Sequence, residues 1–372
     1  MNPRRVIGWD IGGAHVKAAL LEGGEVLDVA QWPCTLWSGT DALERTLGAV
    51  RSRWPDLAAC DHAVTMTGEM VDHFAHREDG VQRIAALLGA ALPEPRFFAG
   101  DQGWCSADRA GPLWPHVASA NWLACARHVA AVLEPRAGVL VDIGSTTTDL
   151  IAFRDGRVLS TSRSDAQRLE RSELVYQGVV RTPLCVLGPR LPWRGAEVNV
   201  MNEWFATSAD VYRLSGELDP AFDQHASADG AAKDTAASRQ RLARLIGLDA
   251  RDGGAAEWLA LAHTWRGRQL AELRGQLERV LAEHGLARAG VLVSAGCGAF
   301  LVGELTPPGT ACLHYARDVA SIGKRAPPGA AAWTQVCAPS VAVAALFEQD
   351  RGGREAARGA GDTGTSGARE WH

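Results

Sequence analysis

The sequence predicts an α/β chain built as a duplicated unit, and three observations predict it. An apolar run, Val139-Leu140-Val141, ends in Asp142-Ile143-Gly144 and a row of hydroxyl residues, Ser145-Thr146-Thr147-Thr148. The same grammar stands near the start as Val6-Ile7-Gly8-Trp9-Asp10-Ile11-Gly12-Gly13. Each is followed by short apolar runs broken by a turn, Glu22-Gly23-Gly24 in the first half and Arg154-Asp155-Gly156-Arg157 in the second. Both halves therefore read as strand, turn, strand, strand, which is the mark of an internal repeat. The rest of the chain is expected to bring the two Asp-x-Gly turns face to face across a central cleft.

In order, residues 6–12 read as the first strand, with Ala18–Leu21 and 25–30 as the next two. Residues 40–53 have helical spacing, with Leu43, Leu47 and Val50 on one face and Thr40 or Asp41 as cap. A strand at 62–67 runs into Gly68-Glu69-Met70, a helix covers 80–89, a strand covers 96–99, and Pro112 and Pro115 mark a loop. An apolar-faced helix at 121–133 leads to the second repeat, whose further strands fall at 150–153 and 158–160. Residues 160–245 are polar and irregular and read as an insertion. A long amphipathic helix spans 256–285. Gly290 to Ser294 then form a strand that enters Ala295-Gly296-Cys297-Gly298, and a last helix follows Pro339. The expected domains are 1–133 and 134–348, with a Gly-, Ala- and Arg-rich disordered tail at 349–372.

Composition bounds the function. A chain of 372 residues is long enough for two cores, and 47% hydrophobic with 22% charged residues is ordinary for a globular protein. A formal net charge of -5 and the lack of a basic, aromatic-interleaved patch exclude nucleic acid as an expected partner. The first apolar run is broken at Asp10, unlike a signal peptide, and no apolar run approaches a bilayer's thickness. The expectation is a cytoplasmic protein with no membrane partner and room for a homodimer. Eight dispersed cysteines without a C-x-x-C pair argue against a zinc site or a disulfide framework. The thirteen tryptophans read as packing residues.

The chemistry follows from the turns. Gly12, Gly13 and Gly144 let the backbone approach a ligand closely, and Ser145, Thr146 and Thr147 add N–H groups and hydroxyls suited to phosphate oxygens. Asp10 and Asp142, at strand ends, are placed to act as catalytic carboxylates and to hold a divalent cation, Mg²⁺, that the phosphate shares. Lys17 either neutralises phosphate or points to water, and His15 either donates to an anion or packs. Gly296 and Gly298 form a cradle for a flat or phosphorylated group, with Cys297 a small residue tolerated beside it. Gly68, Asn121 and Arg181 are further substrate-binding candidates, Arg181 through a bidentate pair with phosphate or carboxylate. Glu69 is a base, a metal ligand or a solvated carboxylate at a helix start, and Asp101 shares that split. Glu173 is a third candidate base.

These residues resemble a known family. Asp10-Ile11-Gly12-Gly13, Asp142-Ile143-Gly144-Ser145-Thr146-Thr147-Thr148-Asp149 and Ser294-Ala295-Gly296-Cys297-Gly298 resemble the phosphate and adenosine motifs of the actin, sugar kinase and Hsp70 (ASKHA) superfamily. The resemblance implies two actin-like, ribonuclease H-like domains. More narrowly, four segments resemble the hydantoinase A/oxoprolinase-related proteins linked to tetrahydromethanopterin-dependent one-carbon transfer. They are Gly8 to Ala14, Ala120-Asn121-Trp122, Tyr176 to Pro183 and Asn202 to Thr207. The resemblance covers about residues 5–348. It implies a transferase that joins an aminomethylfuran diphosphate to a tyrosine- or tyramine-type phenol in methanofuran or methylofuran synthesis, with both small molecules as its partners. Kinases of the superfamily usually carry a hydroxyl residue where this chain has Ala14, which weighs against phosphoryl transfer. The alternatives are an ATP-dependent small-molecule kinase, a hydantoinase- or oxoprolinase-type hydrolase, and a non-catalytic nucleotide-binding module.

Overall fold

The computed structural model describes residues 4–286 and 290–362, which group into two units. The first unit takes residues 4–128, 321–330 and 339–362. Its strands are β1 (Val6–Ile11), β2 (His15–Glu22), β3 (Glu25–Pro33), β4 (Asp61–Met66), β5 (Arg96–Phe98) and β6 (Trp104–Cys105), joined by a late strand, Ser321–Ile322. Across the sheet the order is Ser321–Ile322, β3, β2, β1, β4, β5, β6. β1, β2 and β3 form an antiparallel meander, while β4 runs parallel to β1 and β5 parallel to β4.

Burial explains this arrangement. All six residues of β1 are buried, as expected for a central strand covered on both faces. The helix Asp41–Arg53 buries Leu43, Leu47 and Val50, the face read from its spacing, and Arg77–Ala91 buries Val81, Ile84 and Leu88. Each such side chain contributes about 1.5–3 kcal/mol of transfer free energy. On β1 a Cβ added at Gly8 would meet the carbonyl oxygen of Ser340 at 2.0 Å and Ala344 Cβ at 2.8 Å. Only glycine lets the helix Ala338–Asp362 lie directly on that strand. Glu348 of the same helix accepts the backbone N–H groups of Gly23 and Gly24 at 3.2 and 2.6 Å, fixing the β2–β3 turn.

The second unit takes residues 129–286, 290–320 and 331–338. Its strands are β7 (Ala137–Ile143), β8 (Thr148–Arg154), β9 (Arg157–Val158), β10 (Leu174–Val175), β11 (Arg190–Trp193), β12 (Ala196–Asn199), β13 (Val291–Ala295) and β14 (Ala311–His314). The main sheet runs β10, β8, β7, β13, β14, with β9 also on β8. β7 is antiparallel to β8, and β13 is parallel to both β7 and β14. The meander's third strand is thus split between two short pieces, β9 opposite Phe153 and Arg154 and β10 opposite Thr148 and Asp149. The helix Ala255–Glu283 buries Trp258, Trp265, Leu273 and Leu277. Both units carry the ribonuclease H-like pattern, an antiparallel meander continued by parallel strands. The actin-like α/β class expected from the sequence is the fold.

Several details differ from the expectation. The chain does not divide cleanly at 133: it returns to the first unit at 321–330 and again from 339, because Ser321–Ile322 pairs with β3 and the last helix packs on β1. The stretch around Pro112 and Pro115 holds two short helices, Ala107–Ala110 and Trp114–Val117. Helix continues past 349, where a disordered tail was expected. Asp350 accepts the Trp104 indole N–H at 2.7 Å, and Arg351 is ion-paired with Asp61. Residues 363–372 of that expected tail lie outside the described residues. No single described helix is long and apolar enough to cross a membrane.

Candidate functional site

In the first unit Asp10 is the penultimate residue of β1. It lies opposite Lys17 on β2 and Thr65 on β4, and Lys17 lies opposite Gln31 on β3. Paired residues on neighbouring strands share a face, so Gln31, Lys17, Asp10 and Thr65 form one polar row across four strands. Asp10 is 3% exposed, with the Lys17 ammonium 3.6 Å from its Oδ2. Burial pushes its carboxyl above the usual range, while Lys17 and the Asn121 amide beside it pull the other way. Its Oδ1 is buried and has no hydrogen-bond partner among the described residues. Asn121 opens the helix Asn121–Val132, so the helix start and the strand end meet at this carboxylate.

The turn after Asp10 is tight. The Gly12 N–H donates to the His15 carbonyl at 2.9 Å, and His15 is buried. A Cβ at Gly13 would meet Val71 at 2.6 Å, and one at Gly68 would meet the Ile11 carbonyl at 3.1 Å. Gly68 therefore packs on the turn itself. Glu69 is not the solvated carboxylate of one expectation: it is 1% exposed and accepts the Ser119 hydroxyl at 2.8 Å. Gly80 makes room for it, since a Cβ there would come within 2.7 Å of Glu69 Cα.

The second unit repeats the turn. The Gly144 N–H donates to the Thr147 carbonyl at 2.8 Å, with the same spacing as Gly12 and His15. The row beside it differs: Asp142 lies opposite Asp149 on β8 and Ala295 on β13. Two like charges facing each other repel. Arg168, 4% exposed, answers this by pairing with Asp149 and with Asp165 at 2.7 Å. The carbonyls of Gly144 and Ser145 accept the N–H groups of Val179, at 3.1 Å, and of Val180 and Arg181, at 3.1 and 2.9 Å.

Gly296 and Gly298 meet the same place. Gly296 has φ 82°, where only glycine is unstrained, and a Cβ on it would lie 2.5 Å from Asp142 Oδ1. The Gly298 N–H donates to the Ile143 carbonyl at 2.8 Å. The structure thus brings Asp142, Gly144 to Thr147, the Arg181 backbone, Gly296 and Gly298 together. Cys297, between the two glycines, is buried.

Two residues beyond the expected site residues support it. A Cβ at Gly178 would lie 2.5 Å from the Gly144 carbonyl oxygen, so this glycine lets the 178–181 segment seat the turn. Its sequence signal is its place in the Tyr176 to Pro183 segment that carries the family resemblance. Gln335 accepts the Gly296 N–H at 2.8 Å through its main-chain carbonyl and donates its side-chain amide to the Ser294 carbonyl at 2.6 Å. Nothing in its neighbourhood of sequence announces that role.

Other candidates lie apart from the turns. Asp101 is exposed and ion-paired with Arg127, which also donates to the Gly100 carbonyl at 3.1 Å. Glu173 is 1% exposed and accepts the Ser160 hydroxyl at 2.7 Å. Burial holds the Arg181 guanidinium below its ordinary range. Among the described residues no three His, Cys, Asp or Glu side chains cluster as a metal cage.

Residues 61–315 match the hydantoinase/oxoprolinase family. The (4-{4-[2-(gamma-L-glutamylamino)ethyl]phenoxymethyl}furan-2-yl)methanamine synthase of Methanocaldococcus jannaschii is 30% identical over 246 residues, 66% of this chain and 72% of that protein. The synthase of the same name from Methanococcus vannielii is 32% identical over 124 residues, 33% of this chain and 55% of that protein. A nucleotide-free acetone carboxylase structure superposes with a TM-score of 0.53 at 12% identity, covering 93% of this chain and 70% of that one, a likeness of fold alone. From the extent of the family match and of the first synthase covered, this chain is an enzyme that belongs to the hydantoinase/oxoprolinase family.

Proposed function

We propose that the enzyme forms an aryl ether by displacing diphosphate from an aminomethylfuran diphosphate with the hydroxyl of a tyrosine- or tyramine-type phenol, in the synthesis of a methanofuran-type cofactor. The name of the archaeal relatives supports this reading, because it describes a phenoxy oxygen joined to a methyl carbon on a furan. In this chain the carrying observation is the repeated turn, Gly12 to His15 and Gly144 to Thr147, each set behind a strand-end aspartate.

The step balances simply. The bond between the furfuryl carbon and the diphosphate oxygen breaks, and its electron pair leaves with diphosphate. The furan ring delocalises the positive charge left on carbon, and a phenol lone pair forms the new C–O bond. The phenolic proton passes to the departing diphosphate. Asp101 is ion-paired with Arg127, while Glu69 and Glu173 each accept one serine hydroxyl, from Ser119 and Ser160, and the leaving diphosphate is taken here as the proton acceptor. The Gly12 and Gly144 N–H groups close the two turns, on which the Gly13 N–H and the Ser145, Thr146 and Thr147 hydroxyls would take phosphate oxygens, and Lys17 would offset charge beside Asp10.

Asp10, at the turn of the first unit, is a carboxylate that could hold magnesium there, and Asp142 stands at the equivalent strand end of the second unit. The buried, unpartnered Oδ1 of Asp10 fits such a ligand. Magnesium would supply positive charge to the leaving diphosphate. The test is incubation with Mg²⁺, the furan diphosphate and either tyrosine or tyramine, following diphosphate release and product mass. One diphosphate per ether is expected; neither product with either phenol overturns the reading.

A further inference from the structure

Ala295, the last residue of β13, lies opposite Asp142 on β7. The residues on either side of it, Ser294 and Gly296, are both held by Gln335, from the helix Ala330–Val336. We propose that Gln335 is a positioning residue: it sets the Gly296 turn against the Asp142 carboxylate, and through that carboxylate it governs the rate of the reaction rather than the binding of substrate. The proposal rests on the aryl-ether reading, to which it adds a residue that acts only through another.

Three observations carry it. The first is reach. The Gln335 main-chain carbonyl accepts the Gly296 N–H at 2.8 Å, its side-chain amide donates to the Ser294 carbonyl at 2.6 Å, and its side-chain oxygen accepts the Ala316 N–H at 3.0 Å. Both ends of the amide are used, so its orientation is fixed. A flip would set oxygen against a carbonyl and N–H against N–H.

The second is the lack of slack. Gly296 has φ 82°, and a Cβ on it would lie 2.1 Å from the Ile143 carbonyl oxygen and 2.5 Å from Asp142 Oδ1. The Gly298 N–H donates to the same Ile143 carbonyl at 2.8 Å. The turn and the strand end are therefore in close contact, and packed interiors pass a displacement on. A small misplacement of a group that must match the transition state is enough to slow a reaction many-fold.

The third is anchoring. Val336, Cys337 and Ala338 are buried, and the Trp333 ring meets Phe222 edge-on with centroids 5.1 Å apart. Phe222 belongs to the short turn Pro220–Phe222, inside the polar stretch 160–245. That stretch thus steadies the helix whose Gln335 steadies the glycine turn.

The experiment uses the full chain, steady-state diphosphate release and amide hydrogen exchange read by mass spectrometry. Gln335→Met has nearly the same length, keeps the main-chain acceptor for Gly296 and removes both side-chain bonds. It is expected to lower kcat at least tenfold, leave KM for the furan diphosphate within threefold and speed exchange at residues 294–298 at least tenfold. Gln335→Glu keeps the Ala316 bond and turns a second oxygen on the Ser294 carbonyl, and is expected to show the same split. Val336→Ala, buried on the same helix and outside these bonds, is expected to melt at a lower temperature with kcat within twofold. Unchanged kcat in both Gln335 variants, a rise in KM in place of the fall in kcat, or an equal fall in kcat for Val336→Ala overturns the proposal. If wild type forms no ether, the aryl-ether reading fails. Exchange needs no substrate, and unchanged exchange at 294–298 in Gln335→Met overturns the positioning role by itself.

Discussion

Ser119 sits in the left-handed region, with φ 50°, and its hydroxyl donates to the buried Oε1 of Glu69 at 2.8 Å. A non-glycine residue there costs of order 1 kcal/mol or more, so the surroundings must hold it. Gly68, next to Glu69, packs on the Gly12–His15 turn. Glu69 is therefore a pillar under that turn.

Ser119→Ala keeps the strain and removes the hydroxyl, leaving a buried carboxylate oxygen without that donor. Chemical denaturation is expected to show a loss of about 1–3 kcal/mol. Glu69→Gln keeps an acceptor for Ser119 and is expected to hold turnover within tenfold. A loss beyond a hundredfold, without a matching fall in stability, would make Glu69 the base and displace diphosphate from that role.

Asp10→Asn separates function from stability. Burial raises the Asp10 carboxyl, so its folded form favours the proton more than its unfolded form does. The ionised side chain therefore weighs against folding above its folded-state value, and that burden fades as pH falls toward the unfolded value of about 3.9. The asparagine variant is expected to melt at or above the wild-type temperature at pH 7, with the gap closing toward pH 4, while turnover falls at least a hundredfold. A lower melting temperature at pH 7 would show that the Lys17 pair outweighs desolvation.

His62 accepts the Trp9 indole N–H at 3.2 Å, and burial pushes its imidazole down to about 4. A lowered folded value means that its stabilisation is complete above the ordinary 6.5 and is lost as pH falls through the window toward 4. The full span is worth roughly 3 kcal/mol. His62→Asn keeps an acceptor near Nδ1 and cannot titrate, so its stability is expected to vary less between pH 6.5 and 4, as urea melts would show. His128, buried and also pushed to about 4, accounts for slope that remains.

Two glycine-to-alanine changes are expected to move in opposite directions. Gly267 lies within the helix Ala255–Glu283, and a Cβ there meets nothing within 4 Å. Gly267→Ala is expected to raise stability by about 0.5–1 kcal/mol through helix propensity. At Gly296 the added carbon would lie 2.1 Å from the Ile143 carbonyl oxygen. Gly296→Ala is expected to shift the Asp142 strand end and lower turnover more than tenfold. Unchanged turnover would remove the glycine turn from the site.

The repeat was legible because its parts are local. A run of buried residues, an aspartate and a glycine announce a strand end and its turn, and both turns show the same four-residue hydrogen bond. The buried faces of Asp41–Arg53 and Ala255–Glu283 followed from helical spacing. What pairing across the chain decides was not legible. The row from Gln31 to Thr65 needs the register of β4 beside β1, and no local pattern encodes that. Gln335 reaches Gly296 over a gap of sequence with no periodicity. Ser321–Ile322 is two residues long, too short to signal a strand, yet it returns the chain to the first sheet. The Asp142–Asp149 opposition reads as a flaw until Arg168 is seen beside it.

The glycine that lets Ala338–Asp362 lie on β1 also fixes an order of events during synthesis. The ribosome releases β1 near the beginning, but the helix that covers it emerges only after the whole of Val129–Ala320. Domains fold as they leave the ribosome. Most of the second unit therefore leaves the ribosome while the first still waits for its last helix, and a nascent chain stalled before residue 338 would expose β1 to chaperones.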